Sequence, residues 1–247
     1  MGGKQEKLIV LILLTAFLFQ GGTTLLHMSS TGDETHYLGV GIYLMKNRQW
    51  AVLADSLLHP PLSYYLHSLP LFITGIDGRV FEIPDMNERG RTIMASYPDD
   101  RVLILARIPM LLMGALLGLL VYWWVRQVYG PWAALLAFCL YVFNPVMLSN
   151  SSLITPDLSL AFFSVLTFYC VWRFLVTKKT HMLVAAGIAM GLCLLAKYSA
   201  LLVVLSLPIF IVLQFFCHAN QESLEVARLR PSHFAVILLI AILVVNC

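Results

Sequence analysis

Hydrophobic stretches close to 20 residues long recur along this 247-residue sequence, and they constrain its fold more than any other feature. As a helix, a segment of that length covers the roughly 30 Å of a bilayer's hydrocarbon core. In water, several such segments would have to leave much of their apolar surface exposed. Composition agrees, with 60% hydrophobic and only 12% charged residues, against about 25% charged in ordinary soluble domains. Backbone polar groups inside a membrane must bond within the protein, and long apolar runs do this as helices. The expected fold class is therefore all-α, a polytopic transmembrane helix bundle of about seven spans.

The first span runs from about Leu8 to Leu26, behind Lys4 and Lys7. A secretory signal peptide shares this polarity, but the missing A-x-A site and the length of the apolar run favour a retained anchor. Further spans fall at 102–124, 131–149, 158–176, 183–197, 199–217 and 233–247, and the sequence stops inside the last one. With the N-terminus cytoplasmic, Lys4, Lys7, Arg126, Lys178, Lys179, Arg228 and Arg230 all fall inside, and only Lys197 lies in a short outer connection. That bias fits the positive-inside rule and places the long segment 27–101 on the periplasmic or extracellular side. A net charge of +3 on such a chain reflects loops beside anionic headgroups and gives no reason to expect a nucleic-acid partner. The five cysteines all sit in hydrophobic segments and read as small buried residues, not as a disulfide or zinc framework.

The outer segment holds nine of the thirteen carboxylates, from Asp33 to Asp100, and four histidines. Tyr37, Val40, Gly41 and Leu44 recur at helical spacing, and LSYYLHSLPLFI after Pro61 is apolar but too short to span. Both stretches read as interfacial helices along the outer leaflet. The charged stretch 77–100, with its Gly, Pro and Asn, reads as a mobile loop.

Threading the spans brings Asp33, Glu34, Arg107, Asp157 and Lys197 to one membrane surface, where ionisable groups are costly and usually face a cavity or a partner. Each also has a local explanation. Thr31-Gly32-Asp33-Glu34 fits a capping box, with acidic groups favoured at the positive helix end. Asp157 is a first-turn carboxylate, Arg107 and Lys197 can snorkel to headgroups, and His59-Pro60-Pro61-Leu62 can be a stiff entry to a helix.

Taken in order, these motifs resemble the polytopic GT-C glycosyltransferases of the dolichyl-phosphate-mannose protein mannosyltransferase and aminoarabinose-transferase type. The matching elements are Gly-Asp33-Glu34-Thr-His-Tyr37 after the first span, His59-Pro60-Pro61-Leu62 with Tyr64-Tyr65, and Ala106-Arg107-Ile-Pro109. Tyr129-Gly130, Asn144-Pro145, Thr155-Pro156-Asp157 and the run from Gly187 and Gly191 to Lys197-Tyr198-Ser199 follow in the same order. The resemblance implies an enzyme that moves a sugar, with inversion, from a polyprenyl-phosphate donor to an acceptor hydroxyl of a protein, lipid or polysaccharide on the outer face. It makes Asp33 the general base, accompanied by Glu34, and gives substrate contacts to Tyr37, His59, Arg107, Asp157 and Lys197. The last of these and Arg107 are the cations for the leaving phosphate, and Gly187 and Gly191 allow a helix to lie close to a lipid groove.

Relatives of this type carry more spans and often a further domain, so residues 1–247 are expected to be the N-terminal part of such a transmembrane domain, truncated at 247. Asp33, Glu34 and His59 are residue types that ligate a divalent cation, but no spacing rule requires one. Two other classes stay open from the residues alone: a transporter with an outward polar cavity, which would carry midplane charges or broken helices in matched halves, and a non-catalytic membrane subunit.

Overall fold

In the computed structural model of this chain, residues 3–47, 59–75, 83–97, 100–217 and 228–246 are described, without the side chains of 214–217. Helices and turns account for the regular structure of these residues. In chain order they are α1 (Gly3–His27), α2 (Gly32–Asn47), α3 (Leu62–Ile73), α4 (Met86–Ala95), α5 (Arg101–Tyr129) and α6 (Pro131–Val142). Then come α7 (Pro145–Ser151), α8 (Pro156–Thr177), α9 (Thr180–Ala196), α10 (Leu201–Cys217) and α11 (Pro231–Asn246). The helices form two compact units, Met1–Ser159 and Leu160–Cys247.

Local chemistry sets many of the boundaries. Proline stands at the first position of α6, α7, α8 and α11, where its missing N–H costs nothing. Asn144 caps α7 by accepting from the Val146 N–H at 2.9 Å, and α6 and α7 meet there at a bend of 62°. Gly130, with φ of +85°, ends α5 in a conformation that disfavours a side chain.

Helices α1, α5 and α8, with 25, 29 and 22 residues, are each long and apolar enough to cross a bilayer, and the bent pair α6–α7 passes the same test as one broken span. The three remaining expected spans are shorter apolar helices, Thr180–Ala196, Tyr198–Leu213 and Pro231–Asn246. Large apolar side chains such as Leu11 and Phe19 on α1, Leu112 and Leu116 on α5, and Leu202 and Leu205 on α10 stay exposed, as a lipid-facing surface requires.

In the first unit, Phe17, Leu111, Tyr122 and Phe138 form the core that joins α1, α5 and α6. The Ser152 hydroxyl donates to the Gly21 carbonyl of α1 at 3.3 Å, so α1 is a packed element of this unit. The described part of the segment between α1 and α5 folds against the start of α5 as α2, α3 and α4, sharing a core of Leu38, Ile42, Leu71, Ile93 and Ala106. Helix α4 corrects the expected mobile loop over 77–100, of which 77–82 and 98–99 lie outside the described residues. Asp85 caps α4 by accepting from Glu88 N–H at 2.7 Å, and Gly90 lets its backbone touch α2, since a Cβ there would lie 1.7 Å from the Thr35 carbonyl oxygen.

In the second unit, Ala186, Met190, Leu207, Ile237 and Ala241 are core residues from α9, α10 and α11. A Cβ on Gly187 would lie 2.6 Å from Ile240 Cβ, and one on Gly191 would lie 2.6 Å from Val244 Cβ. The expected lipid groove beside these glycines is therefore filled by α11, the close approach that small-xxx-small spacing permits.

Candidate active site

The site is built where the end of α1, the start of α2, the start of α5 and the link from α7 to α8 meet. Thr31 is the N-cap of α2 and Glu34 its third residue, and the Glu34 carboxylate reaches back to accept the Thr31 N–H at 2.9 Å. This is the carboxylate half of the capping box. The same carboxylate lies wholly buried against Arg107 of α5. Arg107 Nε donates to Oε1 at 2.8 Å and Nη2 to Oε2 at 2.6 Å, a paired geometry that adds direction as well as charge. The Ile154 N–H, just ahead of α8, donates to Oε1 at 3.1 Å.

Arg107 has five N–H donors, and all five point at protein acceptors. Besides the two on Glu34, Nη1 donates to the carbonyls of Leu25 (3.4 Å) and Met28 (2.8 Å), and Nη2 to that of Ser29 (3.1 Å). Arg107 is 0% exposed, so no donor remains for a ligand. Arg107, expected as a substrate contact, and Glu34, expected beside the catalytic base, are engaged with each other in an internal clasp. A charge this deep persists only when paired and fully bonded, which both members are.

Asp33, the neighbour of Glu34, has the opposite setting. It is exposed, and among the described residues its carboxylate makes no hydrogen bond or ion pair. Tyr37 lies one helical turn on, on the same face. Its ring stacks on His59 at 6.1 Å between centroids and touches Tyr64 at 5.8 Å and His67 at 6.4 Å. Burial, then the negative charges of Asp33 and Asp157, push the Tyr37 phenol up to about 12, so it stays a neutral donor. Asp157 is therefore close enough for its charge to be felt at this ring, although it too is exposed at the start of α8.

His67 completes the arrangement and was not singled out from the sequence. It is 2% exposed, and its Nε2 donates to the Tyr37 carbonyl at 3.0 Å, fixing α3 to α2. Burial lowers it to about 4, so the ring is neutral at physiological pH. The approach depends on Gly41, where a Cβ would lie 2.1 Å from Ser68 Oγ and 2.9 Å from His67 Nε2. No one-dimensional pattern pairs positions 37 and 67.

The first unit thus gathers Asp33, Tyr37, His59 and Asp157 above the Glu34–Arg107 clasp. Lys197 belongs to the second unit, where it ends α9 in an extended conformation, half-buried. Among the described residues no three His, Cys, Asp or Glu side chains come together as a metal-ligand group. Cys170 and Cys193 are buried and unpaired and Cys139 is half-buried, as expected of apolar fillers.

Comparison with known proteins fits this architecture. The chain is similar to the S. cerevisiae protein O-mannosyltransferase Pmt1-Pmt2 complex bound to the sugar donor, with a TM-score of 0.67 and 18% sequence identity over 100% of this chain. That likeness shows the fold, and this chain spans 32% of the length of that one. Among curated proteins there is no match. Fold and helix order define a membrane protein of the GT-C mannosyltransferase type. Residues 9–246 match the model of the dolichyl-phosphate-mannose-protein mannosyltransferases, and the chain belongs to that family.

Proposed function

We propose that the protein is a membrane glycosyltransferase that carries a sugar, mannose by its family, from a polyprenyl-phosphate carrier to an acceptor hydroxyl, with Asp33 as general base. The family name supports a dolichyl-phosphate-linked donor and a protein acceptor. One observation carries the assignment of Asp33: of two adjacent carboxylates, Glu34 is enclosed by Arg107 while Asp33 is held exposed on the same rigid helix start. Glu34 and Arg107 are positioning residues in this reading.

The chemistry follows from charge balance. Asp33 takes the proton of the acceptor hydroxyl as its oxygen bonds to the anomeric carbon, and the bond from that carbon to the phosphate oxygen breaks. The electron pair leaves with the lipid phosphate, and a single displacement inverts the anomeric centre. A cation aimed at the departing phosphate lowers the barrier. Resemblance gives that part to Lys197, now without Arg107 as a second cation. Tyr37 and His59 offer an aromatic and hydrogen-bonding wall beside the base, suited to a sugar or an acceptor side chain. A transporter reading is less well supported: the α6–α7 bend is the one bent pair among the described residues, where matched halves would repeat it.

The test is sugar transfer in membranes carrying the protein. Asp33→Asn keeps the shape but cannot accept a proton, and is expected to lower kcat by on the order of 10²–10⁴-fold with normal protein levels. Activity within a few-fold of the unchanged protein would return Asp33 to a helix-start carboxylate. In the same assay Lys197→Ala is expected to weaken donor binding, with partial recovery in Lys197→Arg because a planar guanidinium replaces a point charge imperfectly. Unchanged donor affinity in Lys197→Ala would remove the phosphate assignment.

A further inference from the structure

A second polar cluster lies at the other end of the same two long helices. Near the start of α1, Glu6 is 6% exposed and accepts from Arg126 near the end of α5, at 2.5 Å from Nε and 3.1 Å from Nη2. The Tyr122 hydroxyl donates to the same carboxylate. Arg107 and Arg126 are 19 residues apart on one helix, about 29 Å along its axis. The cluster therefore shares no residue with the Asp33 site.

Beside it a groove of about 380 Å³ opens between α1 and α5. Its walls away from the cluster are apolar, formed by Val10, Leu11, Leu14 and Leu119. Its polar end carries Lys7 and Arg126, opposed only by Glu6. Arg126 is 40% exposed, and its Nη1 has no acceptor among the described residues. Lys7 is exposed and makes no ion pair among the described residues, and Lys4 lies one turn away on α1. Trp123 is 54% exposed and lies 5.9 Å from the Arg126 guanidinium, the placement of an aromatic at a membrane–water boundary.

We propose that this groove binds one anionic phospholipid, its phosphate between Lys7 and the free edge of Arg126 and its acyl chain along Val10, Leu14 and Leu119. Charge complementarity selects the occupant. The end has a cationic excess and a donor edge, so a phosphate monoester gains there, while a choline headgroup would set its own cation against Lys7. Glu6 holds Arg126 in place without cancelling both cations.

Native mass spectrometry of the detergent-purified chain, with dioleoyl phosphatidic acid or dioleoyl phosphatidylcholine added back, tests this. One phosphatidic acid is expected to be retained at a concentration several-fold lower than phosphatidylcholine needs. Lys7→Ala removes one charge and is expected to weaken retention about fivefold, from roughly 1 kcal/mol per basic residue near a headgroup. Leu14→Trp fills the apolar wall and is expected to reduce retention to the phosphatidylcholine level; an unchanged melting temperature in both variants excludes misfolding as the cause. Equal retention of the two lipids would overturn the proposal, as would retention unaffected by both variants. Displacement of the lipid by inorganic phosphate at millimolar concentration would point to a free anion instead, and a dimer formed as lipid is removed would point to a second copy of the chain.

Discussion

Adjacent residues 33 and 34 carry the same chemical group and have opposite fates, and the difference is geometric. Glu34 faces inward, where five nearby donors hold it, and Asp33 faces out. The capping box was legible because its partners lie three residues apart. The clasp was not, because Glu34 and Arg107 are separated by 73 residues and only the folded helices bring them together. An arginine inside an apolar helix gives no sign of whether it faces a ligand or a carboxylate. Removing one partner leaves the other charge buried and unmatched, which typically costs about 3–5 kcal/mol. Arg107→Met is therefore expected to lower the unfolding temperature and the level of protein in membranes, and Glu34→Gln, which keeps part of the hydrogen bonding, to do so less. A stable, well-expressed Arg107→Met that loses only donor affinity would instead restore Arg107 as a substrate ligand.

The elements of the outer segment show what a hydropathy pattern can and cannot reveal. Helices α2 and α3 were legible from apolar spacing and from an apolar stretch too short to span. Helix α4 was hidden because Asn87, Glu88, Arg89, Arg91 and Thr92 leave it without an apolar run, yet Asp85 and Glu88 repeat the spacing that marks the start of α2. What holds it is backbone proximity, since a Cβ on Gly39 would lie 1.9 Å from the Met86 carbonyl oxygen, and sequence does not say which glycines face each other. Between α2 and α3 the neutral His67 makes stability depend on pH. Its folded value of about 4 lies below the ordinary 6.5, so between those values the unfolded chain holds a proton that the folded one excludes. Its contribution is fully present above pH 6.5 and is lost as pH falls toward 4, at up to about 1.4 kcal/mol per pH unit. The melting temperature of the detergent-solubilised chain is expected to drop across this window, and His67→Gln, which retains a donor for the Tyr37 carbonyl, to flatten the drop. An unchanged slope in His67→Gln would assign the acid sensitivity to carboxylates.

For the whole molecule, the long helices α1 and α5 are the best guide to how it lies in a bilayer. Arg107 and Arg126 bracket a stretch of α5 without a charged residue, and each is matched by a glutamate, Glu34 at one end and Glu6 at the other. The separation of about 29 Å equals the hydrocarbon thickness within a few ångströms, the spacing that ion pairs at opposite surfaces would have. The order of the apolar helices was legible because apolar length records bilayer thickness, although among the described residues only α1, α5, α8 and the bent pair α6–α7, of the seven expected, reach the length of a span. Their division into two compact units was not, because it depends on which helix faces pack together. Bilayer thickness alone does not say which surface is cytoplasmic; from the lysine and arginine bias of the sequence we propose that the end of α1 carrying Lys4 and Lys7 is the cytoplasmic one. In a background with the five native cysteines replaced, Asp33→Cys in intact cells or sealed vesicles is expected to react with an impermeant thiol reagent from the non-cytoplasmic side, and Lys4→Cys only after permeabilisation. Lys4 lies in the first turn of α1 and Asp33 beyond its other end, so they must give opposite answers if that helix crosses the bilayer. A reversed pattern would turn the molecule over and place Asp33 on the cytoplasmic face, and reaction of both from one side would mean that α1 does not span.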